Sequence, residues 1–154
     1  MPDLYRVACA AGFSGDRLGV AKPLVDELKR LGGPSCLIFE SLAERTLALA
    51  QLERRQNETK GYEPLLAEML SPILADCVKA DIPIVGNFGA ANPRAAAQLI
   101  QQLASEQGIE NIKIAIVHGD DIAGPEYEKI LKSSLSEKDQ MVLEGSALVS
   151  ANVY

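Results

Sequence analysis

The chain has no tryptophan, and aromatic residues make up only 5% of its 154 residues. Its interior must therefore be built from Leu, Ile, Val and Ala. Basic residues are in the minority, with 15 Lys and Arg against 21 Asp and Glu and a net charge of -6. That balance argues against a nucleic-acid partner, which would need a basic face. No apolar run reaches the roughly 18 residues of a spanning helix, so no membrane segment is expected. The start, "MPDLYRVACAAGF", carries no basic segment ahead of an apolar core, so no signal peptide is read there. The three cysteines, Cys9, Cys36 and Cys77, lie far apart without CxxC spacing. An odd, scattered set points to reduced thiols inside a cell, with Cys36 and Cys77 as small buried hydrophobes. His118 is the only histidine, and there is no zinc-type Cys/His spacing. The dinucleotide fingerprint GxGxxG and the GK[ST] ending of a phosphate-binding loop are also missing.

What is present is 47% hydrophobic residues in short runs. "LYRVACAA", "SCLIFE", "IPIVGN" and "IKIAIVHG" read as strands near residues 5–10, 35–40, 82–87 and 112–118, and "QMVLEG" as a fifth. Between them lie helical patterns. "AKPLVDELKRL" places Leu24, Val25, Leu28 and Leu31 on one face and stops at Gly32-Gly33. "SLAERTLALAQLERRQ" begins with capping-box spacing between Ser41 and Glu44. "EPLLAEMLSPILADCVKA" is helical, with Pro72 expected to kink or split it. In "GAANPRAAAQLIQQLASEQG", Asn92 is the expected N-cap and Pro93 the first helical residue. "PEYEKILKSSL" is a weaker helix.

Strands alternating with helices predict an α/β fold: a Rossmann-like three-layer sandwich with a mostly parallel sheet. Residues 1–154 are expected to form one domain. The tail, "SALVSANVY", is strand-like to its last residue, which predicts the N-terminal part of a longer protein. The exposed tail would then either drive self-association into a homo-oligomer or be loosely held.

Polar residues cluster after each strand, and in a parallel sheet those ends share one rim. The clusters are Gly12, Ser14, Gly15, Asp16 and Arg17; Glu40, Ser41, Glu44 and Arg45; Asn87, Gly89, Ala90, Asn92 and Arg94; and His118, Gly119, Asp120 and Asp121. Each has a plainer reading. "GFSGD" is then a turn, Glu44 a capping partner, Arg45 a solvated charge, "GAANP" a helix start and His118 a hydrogen-bonded structural group. As a site, the helix start would suit a phosphate or carboxylate. Asp120 and Asp121 could take a divalent cation with Glu40 or Asp16, but adjacent acids are more often solvated, and no metal is assigned.

The stretches "AAGFSGDR", "FESLAERTLALAQLERR", "GYEPLL", "GNFGAANPRAAA", "GDD" and "SANVY", in that order, resemble the acyclic terpene utilisation AtuA family. The resemblance runs from about Arg6 to Tyr154, and it implies a cytoplasmic protein of branched-chain and terpene breakdown. It maps family motif positions onto the same strand-end clusters and onto Ser150–Asn152. Ala11 stands where glycine is usual, and Ser41 where cysteine is frequent.

The leading expectation is an enzyme domain acting on a small carboxylate or acyl-CoA intermediate. Glu40, Asp120 and Asp16 are the catalytic candidates. Gly12, Ser14, Gly15, Arg17, Glu44, Arg45, Gly89, Ala90, Asn92, Gly119 and Asp121 are the ligand-binding ones. No cofactor is specified. The alternatives are a non-catalytic ligand-binding domain or subunit and a nucleotide-binding module, the latter disfavoured by the missing glycine fingerprint.

Overall fold

The computed structural model describes residues 4–10, 17–143, 146 and 148–153. Contacts divide the chain into two compact units, Met1–Ile116 and Val117–Tyr154.

In the first unit, three strands form one sheet in the order β1-β2-β3: β1 (Arg6–Cys9), β2 (Ser35–Phe39) and β3 (Ile84–Gly86). Both pairings are parallel, with Ala8 opposite Leu37 and Leu37 opposite Ile84. The crossovers are helical. Helix α1 (Ala21–Leu31) buries Ala21, Val25 and Leu28, while Leu31, expected on that face, is 43% exposed. Gly32, at φ 63°, ends it. Pro72 splits the next pattern as expected, into α3 (Leu66–Leu70) and α4 (Leu74–Lys79), because proline offers no N–H and crowds the preceding turn. Helix α5 (Pro93–Glu106) starts where Asn92 and Pro93 predict.

Helix α2 (Glu44–Gln56) corrects the capping expectation. Its N-cap is Ala43, and Thr46 reaches back to the Ala43 N–H at 2.7 Å. Ser41 is withdrawn from the helix because its own N–H and hydroxyl bond to Asn87.

The core lies on one face of the sheet. Leu37, Leu66, Leu70, Ile73, Val25 and Cys77 are its largest fully buried side chains. Phe39 and Phe88 pack there with ring centroids 5.1 Å apart. Lys29 and Lys22 of α1 both pair with Asp76 of α4, at 2.7 and 3.4 Å. Strand side chains alternate between faces, and on the opposite face Val7 is 61% and Val85 56% exposed. The structure thus bears out a mixed α/β fold with a parallel sheet, while a three-layer sandwich is not confirmed.

Two expected strands do not form. Residues 112–118 are assigned no strand, and no backbone hydrogen bond of residues 113–118 outside regular elements is seen among the described residues. Of the expected strand "QMVLEG", residues 144–145 lie outside the described residues, and residues 140–143 belong to helix α7 (Glu137–Leu143) of the second unit. Ser136 caps it, accepting from Asp139 N–H at 3.2 Å and bonding the Asp139 carboxylate at 2.5 Å. Helix α6 (Glu128–Ser134) precedes it after a 3₁₀ turn over Pro125–Tyr127. No helix among the described residues is long and apolar enough to cross a membrane.

Candidate functional site

The ladder between β2 and β3 ends at the pair Phe39 and Gly86. One residue further on, side chains take over from backbone. Asn87, half-buried, accepts from the Ser41 N–H at 2.8 Å and from the Ser41 hydroxyl at 3.3 Å through Oδ1. Its Nδ2 donates to Glu40 Oε1 at 3.2 Å. The Leu42 N–H donates to the same oxygen at 3.0 Å. Ser41 is buried, whereas Glu40 is exposed. The carboxylate of Glu40 therefore has protein donors on one oxygen while it lies at the surface and meets solvent.

Downstream of Asn87 the chain turns tightly into α5. The N–H groups of Ala90, Ala91 and Asn92 donate to the carbonyls of Asn87, Gly61 and Gly89 at 3.2, 2.9 and 2.6 Å. Pro93 has no N–H. A Cβ on Gly89 would come within 2.6 Å of the Pro93 Cβ, so only glycine allows this approach. Asn92 is buried, and its Oδ1 accepts from Ala95 N–H at 3.3 Å as the N-cap. Its Nδ2 donates to the carbonyls of Glu58 and Lys60 at 2.7 and 2.8 Å. Arg54 Nη1 donates to the Ala91 carbonyl at 2.6 Å. These donors are thus committed within the protein, and the Asn92 and Ala91 bonds tie the 57–62 loop to α5.

Sequence reasoning left Arg54 and Gly61 unnoticed. The available signal was the single glycine in the polar break "NETKGY". Gly61 has φ 96°, and a Cβ there would approach Arg54 Cβ at 2.7 Å and the Ala50 carbonyl at 2.8 Å.

Glu44 and Arg45 are exposed on the first turn of α2, and Arg17 is exposed ahead of α1. Neither arginine has a hydrogen bond or ion pair among the described residues, so both guanidinium groups are open to an anion. Gly12, Ser14, Gly15 and Asp16 lie outside the described residues.

In the second unit, Asp120 Oδ2 accepts from Asn152 Nδ2 at 2.7 Å. Asp121 and Asn152 form an antiparallel bridge, flanked by Ile122 N–H to Ala151 O and Val153 N–H to Asp120 O, both 2.8 Å. Asp121 Oδ1 accepts from Ala123 N–H at 3.0 Å. Gly119 has φ 122° and His118 is exposed. Asn152 Oδ1 is buried without a hydrogen-bond partner among the described residues. Residues 120–122 and 151–153, far apart in sequence, are therefore one structural feature. No group of three His, Cys, Asp or Glu side chains able to hold a metal ion occurs among the described residues. Cys36 and Cys77 are buried and Cys9 is exposed. Burial, with the neighbouring Asp76 charge, pushes the Cys77 thiol up to about 11.

A parallel sheet with polar side chains gathered beyond the ends of β2 and β3 defines a mixed α/β protein. Over residues 5–154 the chain matches the family described as acyclic terpene utilisation family protein AtuA, and it belongs to that family. No curated protein and no solved structure matches it. Family membership suggests a role in acyclic terpene utilisation.

Proposed function

We propose that this chain is a cytoplasmic enzyme domain acting on a small carboxylate or acyl-CoA intermediate of branched-chain or acyclic terpene catabolism. The observation that carries the reading is the Glu40 carboxylate, exposed at the end of β2 and held there by Asn87 and the Leu42 N–H. An exposed carboxylate on a rigid strand end can take and return a proton. Arg45, five residues on, and Arg17 supply cations for the carboxylate or phosphates of the ligand. Gly89, Ala90 and Asn92 shape the backbone beside Asn87. Asp120, fixed by Asn152 in the second unit, is the other acid/base candidate.

Calorimetric titration of the full chain with isovaleryl-CoA and isovalerate tests binding. Binding should weaken about tenfold in Arg45→Ala, in line with one lost charge-assisted contact. A turnover assay on the same compounds then separates the roles. Glu40→Gln should keep binding and lose turnover. Full turnover in that variant would pass the acid/base role to Asp120, and turnover absent from the parent chain would favour a non-catalytic binding domain.

A further inference from the structure

We infer that Asn87 is a positioning residue that locks one oxygen of Glu40 and leaves the other as an open acceptor for a ligand bearing a hydrogen-bond donor. The inference rests on the reading of Glu40 given above, but the side-chain geometry carries it. A side-chain amide can be held in either of two orientations. Here the Ser41 N–H requires an acceptor, which fixes Oδ1 toward Ser41, where the Ser41 hydroxyl donates to it as well. Nδ2 is thereby turned onto Glu40 Oε1. The Leu42 N–H, two residues beyond Glu40, reaches the same oxygen. Both donors meet Oε1, and Oε2 has no partner among the described residues.

If Asn87 served only to tie β2 to β3, its bonds to Ser41 would suffice. The third bond, to an exposed carboxylate, contributes little to stability in water. Its consequence is geometric. It removes rotamer freedom from a long side chain and leaves Oε2 without a partner among the described residues. An ionised carboxylate only accepts hydrogen bonds, so the open oxygen selects a ligand that presents a hydroxyl over one that presents a methylene at the same point.

Two variants separate positioning from strand tying. Asn87→Asp keeps an acceptor for Ser41 but removes the donor to Glu40 and sets a like charge against it. Asn87→Ala removes both. Side-chain methylene relaxation of Glu40, measured by NMR on the folded full chain, should show one restrained rotamer in the parent. Motion like that of exposed Glu53 should appear in both variants. The Ser41 amide should stay protected from exchange in Asn87→Asp and lose protection in Asn87→Ala. Equal Glu40 mobility in the parent and in Asn87→Asp would overturn the inference. Calorimetry with 3-hydroxyisovalerate and isovalerate reads the selectivity. The parent should prefer the hydroxylated acid about tenfold, and Asn87→Asp should lose that preference. Equal affinity of both acids for the parent would overturn the donor selectivity. Binding of neither acid, with Glu40 restrained as stated, would remove the proposed substrate class and leave Asn87 as the positioning residue.

Discussion

Asn92 shows how much one side chain can hold. It caps α5 and donates to two carbonyls of the 57–62 loop from a buried position. Asn92→Ala should lower stability by about 1–3 kcal/mol, from the lost cap plus two partly buried carbonyls left without donors. Urea unfolding of the variant against the parent measures this, and a loss under about 0.5 kcal/mol would mean the loop finds other donors. Cysteine chemistry should differ just as clearly between positions. With its thiol pushed up to about 11, Cys77 has roughly one thiolate in a thousand at pH 8. It is also buried, whereas Cys9 is exposed. Iodoacetamide at pH 8, followed by peptide mass mapping, should label Cys9 in the native chain and Cys77 only after unfolding. Early labelling of Cys77 would show that α4 opens readily.

At the level of elements, α1 and α4 are joined by Asp76, which accepts from Lys29 and also pairs with Lys22. The hydrogen bond from Lys29 is the main cause of its lowered pKa. A carboxylate lowered in the folded state contributes stability above its unfolded value and loses it as pH falls through the folded value. The contribution is therefore present at pH 7 and disappears below the usual carboxylate range, near pH 4. The groups are substantially solvated, so the effect should be small and weakened by salt. Asp76→Asn should lower the thermal midpoint slightly at pH 7 and not at pH 2. A variant as stable as the parent at pH 7 in low salt would show that the two helices are held by apolar packing alone.

Helix boundaries were legible where the backbone chemistry of a glycine or proline set them. Gly32 ends α1, Pro72 divides α3 from α4, and Asn92-Pro93 starts α5, each through the backbone chemistry of one residue. Ser41 misled because the capping-box spacing to Glu44 is also met by chance. The competing acceptor, Asn87, lies 46 residues away. Residues 137–143 misled in the opposite sense. Apolar "MVL" suggested a strand, while the Ser136–Asp139 cap made a helix.

For the molecule as a whole, the sheet of the first unit has one buried face and one exposed face. Leu37 is fully buried on the central strand, and Val85 is 56% exposed on β3. Leu37→Ala should cost about 2–5 kcal/mol by leaving a cavity. Val85→Thr should change stability by no more than about 0.5 kcal/mol. Chemical denaturation of both variants measures the contrast. A cost at Val85 approaching that at Leu37 would mean that the exposed face is covered in solution.

The alternation of apolar strands with helices and the helix punctuation were enough to determine the α/β class and the parallel pairing of the first three strands. These depend on local propensity and on side-chain periodicity, which are written into consecutive residues. Tertiary structure alone decided the rest. The distribution of apolar residues along 112–118 suits a strand, but a strand exists only when a neighbour completes its hydrogen bonds. Likewise, nothing local in "FES" or "GNF" pairs Glu40 and Ser41 with Asn87, or "GDD" with Asn152. Those contacts link residues 32–47 positions apart. Their formation depends on strand register and chain reversal, which are settled by burying the core rather than by any short stretch of residues.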